Sequence, residues 1–201
     1  MIGGLVRRLR YGAPIVVVSG LPRSGTSMMM RMLSAGGVPP LEDGVRAADV
    51  SNPKGYYEFE PVKNLDKHGD LSWLPTARGK AVKIISFLLT YLPETCDYRV
   101  IFMRRDLDEV LRSQAAMLQR RGEAVDAAGD ARTREIYAAH LAQVGRFLAG
   151  RDCFRTLDVD YAAAVKDPAA AAAAVARFLP QPLDQAAMAG AVDDALYRNR
   201  R

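Results

Sequence analysis

The chain has 201 residues, 49% of them apolar, with 28 basic against 23 acidic residues for a formal net charge of +5. That length suits one sizeable domain rather than two, and the apolar share supports a buried core and excludes wholesale disorder. The basic excess is modest and contains no Lys/Arg block or nucleic-acid reading motif, so it fits a small polyanionic ligand better than DNA or RNA.

The N-terminus, MIGGLVRRLRYGAPIVVVSGL, places arginines before an apolar run. At about seven residues that run is far shorter than the roughly 18 of a spanning helix, and no small-residue cleavage site follows. The expectation is a cytoplasmic protein without a membrane anchor. Residues 15–19 (IVVVS) form a continuous β-branched run, as in a strand buried on both faces of a parallel sheet. After a glycine-containing loop, residues 27–33 read as a helix that Gly36 and Gly37 end. Residues 36–56 hold three prolines and four glycines without periodicity, a loop of a length that is usually functional or mobile.

Residues 81–88 (AVKIISFL), 99–103 (RVIFM) and 153–159 (CFRTLDV) are further strand candidates. Leu107, Val110, Leu111, Gln114 and Leu118 follow helical spacing, with Asp106 and Glu109 as a capping box. The segment at 120–130 reads as an exposed turn, and Tyr137, Leu141, Val144 and Leu148 make a second helical stripe. Asp167 and Pro168 open a third helix over an alanine run to residue 179. Strand and helix alternate, which predicts a three-layer α/β/α fold around a mostly parallel sheet, in a single domain over residues 1–201. Cys96 and Cys153, 57 positions apart, read as two reduced, buried thiols. His140 beside the Tyr137 stripe reads as a packed, hydrogen-bonded histidine. Nothing in the sequence calls for a homo-oligomer.

The loop SGLPRSGTSMMM carries the chemistry. An ATP or GTP loop reads G-x-x-x-x-G-K-[ST], its lysine reaching the outer phosphates and its hydroxyl holding magnesium. Gly20 and Gly25 have that separation and Ser27 takes the hydroxyl position, but Thr26 stands where lysine belongs. Backbone N–H groups of Ser24, Gly25, Thr26 and Ser27 before a helix N-terminus still make an anion cradle. Arg23, a permanent cation with a planar fork, replaces the lost lysine from two residues upstream of Gly25. Such a loop suits one phosphate with a charged neighbour.

The stretch GLPRSGTS resembles the 5′-phosphosulfate-binding loop of the sulfotransferases, which use 3′-phosphoadenosine 5′-phosphosulfate (PAPS) as donor. A second match is RVIFMRRDLDEVLRSQAAML. In that family an arginine ending a strand and a serine eight positions later bind the donor's 3′-phosphate; the resemblance implies those roles for Arg105 and Ser113. Arg104 is one residue out of register, and strand alternation points it elsewhere. A weaker match, AVKIISFLLTYLP, implies that Lys83 contacts the transferring sulfuryl group; a solvent-reaching lysine at a sheet edge is the alternative. Two residues on, where cytosolic members carry a histidine base, stands Ile85. The segment NPKGYYEFEPV resembles short bacterial-type members and supplies replacement bases: Glu58 first, Glu60 on its face if the piece is extended, and His68 as an outsider. Tyr161 matches a position that helps hold adenine, though a core tyrosine fits nearly as well. The glycine- and basic-rich closing segment of cytosolic members has no counterpart, unless Arg198, Arg200 and Arg201 substitute.

The resemblance implies a P-loop sulfotransferase that binds PAPS and releases the desulfated nucleotide PAP, without metal, with residues 36–75 shaping an acceptor site that includes Trp73, Tyr56 and Tyr57. Small-molecule, carbohydrate, lipid and peptide acceptors all fit. Two rivals stand beside it: a non-catalytic PAPS- or PAP-binding module, suggested by Ile85, and an ATP-dependent P-loop kinase, disfavoured by Thr26.

Overall fold

The computed structural model describes residues 2–44, 57–67, 69–120, 122 and 129–193. His68, Tyr56, Arg198, Arg200 and Arg201 lie outside them, as do 121 and 123–128 of the turn expected at 120–130. Four parallel strands form one sheet in the order β2-β1-β3-β4: β1 (Ile15–Gly20), β2 (Ala81–Lys83), β3 (Tyr98–Arg104) and β4 (Phe154–Asp160). The sheet grows to one side of β1 through β2 and to the other through β3. The chain therefore diverges between the carboxyl ends of β1 and β3, the crevice where open α/β sheets bind ligands.

Alternation along the strands builds two core layers. Ile15, Val17, Val82, Tyr98, Val100 and Phe102 face one side, against Val144 and Leu148 of α5 (Gly129–Ala149) and the short helix α3 (Leu74–Ala77). Val16, Val18, Ile101 and Met103 face the other, against α2 (Thr26–Ala35), α6 (Tyr161–Lys166), α7 (Pro168–Phe178) and α8 (Gln185–Gly190). Full burial of each such aliphatic side chain contributes about 1.5–3 kcal/mol. The expected three-layer α/β/α arrangement is present. α1 (Ile2–Tyr11), unforeseen in the sequence, is tied to the sheet by Arg7, which donates to the Asp97 carboxylate and the Asp152 carbonyl.

Residues 81–88 do not form one strand. β2 stops at Lys83, and residues Ser86–Tyr91 turn into a 3-10 helix. The apolar run continues because Ile84 and Leu89 still point into the core, so burial, not strand geometry, explains it. The loop before it runs along β2: Pro40 bridges Ala81, and Leu41 N donates to Ala81 O at 2.7 Å. The stretch around Glu58 is not extended either, since Glu60–Lys67 form a second 3-10 helix.

α4 (Leu107–Arg120) begins as expected: Asp106 Oδ1 accepts from the backbone N of Asp108 and Glu109 at 3.0 and 3.2 Å. Asp160, Asp167 and Asp184 cap α6, α7 and α8 in the same way, and Pro168 occupies the first turn of α7. Cys96 and Cys153 are buried free thiols, and no helix among the described residues is long and apolar enough to cross a membrane.

Candidate anion-binding and acceptor site

The loop after β1 turns on two backbone positions. Gly25 caps α2 with φ 101°, in the left-handed region that glycine tolerates, and an added Cβ there would run into the Tyr161 ring, 2.8 Å from Cε2. Arg23 takes φ 72°, rare for a non-glycine residue. Its carbonyl accepts from Arg105 Nη1 at 2.9 Å, and its side-chain Nε donates to Ser113 Oγ at 3.1 Å. The loop after β1 is thus latched to the end of β3 and to α4.

Arg105 is the hub of this latch. Its Nε donates to Glu109 Oε2 at 3.0 Å, in an i,i+4 ion pair whose side chains are only 7% and 6% exposed. Its guanidinium also stacks over the Tyr161 ring, 4.6 Å from the centroid. Burial raises the Tyr161 phenol above its ordinary pKa, while the charges of Arg105, Arg31 and Arg23 work against that shift and Glu109 adds to it. One neutral ring therefore lies within reach of three guanidinium groups. Arg104 points away and pairs with Asp158, as alternation requires.

The arrangement fits an anion at the loop. Ser24 is buried with its Oγ unpartnered, a free hydroxyl of the kind a bound oxyanion satisfies. Thr26 and Ser27 begin α2, whose opening N–H groups add partial positive charge. Lys83, half-buried at the end of β2 and in register with Val18, donates from Nζ to Ser27 Oγ across 3.4 Å. It reaches the first turn of α2 from the flank opposite Arg105, toward the loop rather than outward. Among the described residues no group of three or more His, Cys, Asp and Glu side chains has the proximity to hold a metal ion.

The base candidates form a separate group. Glu58 pairs with Lys63 at 3.2 Å, and Lys63 also bonds Glu60, so one lysine joins the two carboxylates despite the lack of a strand. Glu58 O accepts from Asp43 N at 3.3 Å, which ties this stretch to the loop beside β2. Tyr57 packs against the core layer under α2, and Phe59 meets the buried Trp73 edge-on at 5.6 Å. His140 is packed and hydrogen-bonded: Nε2 meets the Ser86 hydroxyl at 2.9 Å, and the ring stacks on Phe87 at 3.8 Å.

Sequence reasoning missed two members of this neighbourhood. Glu109 reads as half of a capping box, yet its carboxylate holds Arg105; the i,i+4 spacing was the available signal. Arg31 is the other, a buried cation inside the run MMMRML.

No protein-family model matches the chain, and no curated protein matches its sequence. Solved structures do match. Sulfotransferase STF1 from Mycobacterium tuberculosis H37Rv superimposes with a TM-score of 0.59 at 19% identity, over 88% of this chain and 70% of that one. The sulfotransferase domain from the curacin biosynthetic pathway gives 0.54 at 16%, over 93% and 87%. That from the Synechococcus PCC 7002 olefin synthase gives 0.55 at 15%, over 89% and 77%. On these superpositions the chain has the fold of the sulfotransferases.

Proposed function

We propose that this chain is a sulfotransferase that moves a sulfuryl group from PAPS to a hydroxyl or amine acceptor by in-line displacement. The observation that carries the reading is the latch at the β1/β3 crevice, where the loop of Arg23 meets Arg105 and Ser113. A glycine loop that merely joins strand to helix has no use for two guanidinium groups and a buried serine. Two anionic groups a short span apart, such as a 5′-phosphosulfate and a 3′-phosphate, suit it.

In this reading the amides of Ser24, Gly25, Thr26 and Ser27, with Arg23, hold the 5′ end, and Arg105 with Ser113 holds the 3′-phosphate. Tyr161 supplies a flat face for the base. When bound, the donor supplies an activated sulfuryl group on a phosphate leaving group. Lys83 and the α2 N-terminus are placed to stabilise charge on the sulfuryl and bridging oxygens. Glu58 takes the acceptor proton, a contribution of about 10²- to 10⁴-fold. Arginine and lysine supply the positive charge that magnesium supplies in phosphoryl transfer.

Arg105→Ala tests the assignment, measured by calorimetry with PAP and with adenosine 5′-phosphosulfate, which lacks the 3′-phosphate. PAP affinity falls about 10- to 100-fold, as for loss of charge-assisted hydrogen bonds, while the 3′-unphosphorylated nucleotide loses far less. Equal losses for both end the 3′-phosphate assignment. Because Arg105→Ala takes an ion-pair partner from the buried Glu109, Ser113→Ala and Arg105→Ala/Glu109→Ala serve as companions. A second reading, a PAPS- or PAP-binding module without turnover, is favoured by Ile85 in place of a base. Donor binding without sulfate transfer to any acceptor selects it.

A further inference from the structure

We propose that Arg31 and Tyr57 form an anion-recognising subsite of the acceptor pocket, so that the acceptor is a hydroxyl compound bearing a carboxylate or a comparable anionic group. This rests on the sulfuryl-transfer reading and concerns only its acceptor.

Arg31 lies in the middle of α2, among methionines and a leucine that are all buried. The residue is only 9% exposed, and its Nε finds no hydrogen-bond partner. A guanidinium held off water with an idle donor is costly and is retained where an anion completes it. Burial draws its pKa below the ordinary arginine value, and Tyr57, Asp193 and Tyr161 work against that shift. Of these three only Asp193 carries a formal charge at neutral pH.

Helix geometry places the subsite. Residues i and i+4 share a face, and helical side chains lean toward the N-terminus, so Arg31 extends toward the turn that holds Ser27. Ser27 receives Lys83. Tyr57 packs on the layer under α2 and precedes Glu58 in the chain. Its φ of 52° is the second positive value at a described non-glycine residue, after that of Arg23 in the anion loop. Left-handed backbone at a tyrosine is strained and tends to persist where a side chain must hold one aim. Burial also raises the Tyr57 phenol above its ordinary pKa, so it stays a hydrogen-bond donor beside Arg31.

The donor's anionic groups already have the loop amides, Arg23, Arg105 and Lys83. Arg31 is one cation more, near enough to both Tyr161 and Tyr57 for each to bear on its charge.

The test uses the full chain saturated with PAP and two matched probe pairs: 4-hydroxyphenylacetate against 4-hydroxyphenylacetamide, and 3-hydroxybutyrate against 3-hydroxybutyramide. In at least one pair the acid binds about tenfold more tightly than the amide, as a charge-assisted bond to a buried guanidinium requires. Arg31→Gln abolishes the preference and leaves PAP affinity unchanged; Arg31→Lys keeps part of it. Tyr57→Phe, which leaves the cation in place, reduces it. Indifference to the charge in both pairs overturns the proposal, as does a preference that survives in a folded Arg31→Gln protein. Loss of PAP affinity on Arg31→Gln also overturns it, by assigning Arg31 to the nucleotide. If the unmutated chain binds no PAP, the donor reading fails by itself, and the same acid–amide comparison on the unliganded protein still decides the acceptor subsite.

Discussion

The two flanks of the loop after β1 are held together differently. On the β3 side, Arg23, Arg105, Ser113, Glu109 and Tyr161 interlock through hydrogen bonds of 2.9–3.1 Å and a stacked guanidinium. On the β2 side, Lys83 reaches the Ser27 hydroxyl at 3.4 Å. The first flank is organised before any ligand arrives, which suits recognition of fixed, rigid charges. The second brings a lysine, a point charge on a flexible stem, to the first turn of α2, which suits charge that develops only as a group transfers. Binding and turnover should therefore separate along this line.

The largest effect expected is at the interlocked flank. Gly25→Ala forces a Cβ into the Tyr161 ring and asks alanine for φ 101°. Overpacking at about 1–3 kcal/mol and left-handed strain of similar size add to roughly 2–6 kcal/mol. Thermal unfolding and PAP titration should both show the loss. Adding Tyr161→Ala should recover the overlap part only, and full recovery would show that the backbone angle contributes nothing.

Next comes the β2 flank. Lys83→Ala should lower turnover about 10²- to 10³-fold, the usual size for removing one group that stabilises transition-state charge. PAP affinity should barely change. A PAP affinity that falls in parallel with the rate would erase the division between the flanks.

The smallest effect concerns the shoulder behind β2, where His140 bonds Ser86. Burial holds its imidazole below the ordinary pKa. A base with a depressed folded pKa binds its proton first in the unfolded chain, so stability is retained above the ordinary value near 6.5 and falls as pH drops below it. Denaturant melts from pH 7 to pH 5 should show that decline, and His140→Gln should flatten it. Identical slopes would place the pH dependence elsewhere.

The same contrast governs what was legible in the sequence. Strand β1 announces itself as a β-branched run, β3 and β4 read as further strand candidates, and α4 and α7 carry Asp caps. The interlocked flank was readable because its parts are two local motifs: a glycine loop, and an arginine with a serine eight positions on. The β2 flank was harder. The apolar run from Ala81 to Leu89 spans a short strand and a 3-10 turn that face the same core, and hydrophobicity alone cannot tell them apart. Helices of six residues, such as α6 and α8, carry too few turns for a periodic signal. Arg31 escaped for a different reason: a single charge inside a methionine-rich helix declares its burial only once the opposing layer is in place.

The sheet margins bear on how copies of this protein meet. On β4, the outer strand beyond β3, Arg155, Asp158 and Asp160 stand exposed, and inter-strand addition there would set charged rows against one another. The opposite margin, β2, is three residues long and already flanked by the chain at Pro40 and Leu41. Neither border offers a long, flat, uncharged template for a second molecule to continue the ladder. Both described edges thus disfavour strand-to-strand fusion of copies across the sheet, which keeps the crevice at the strand ends open.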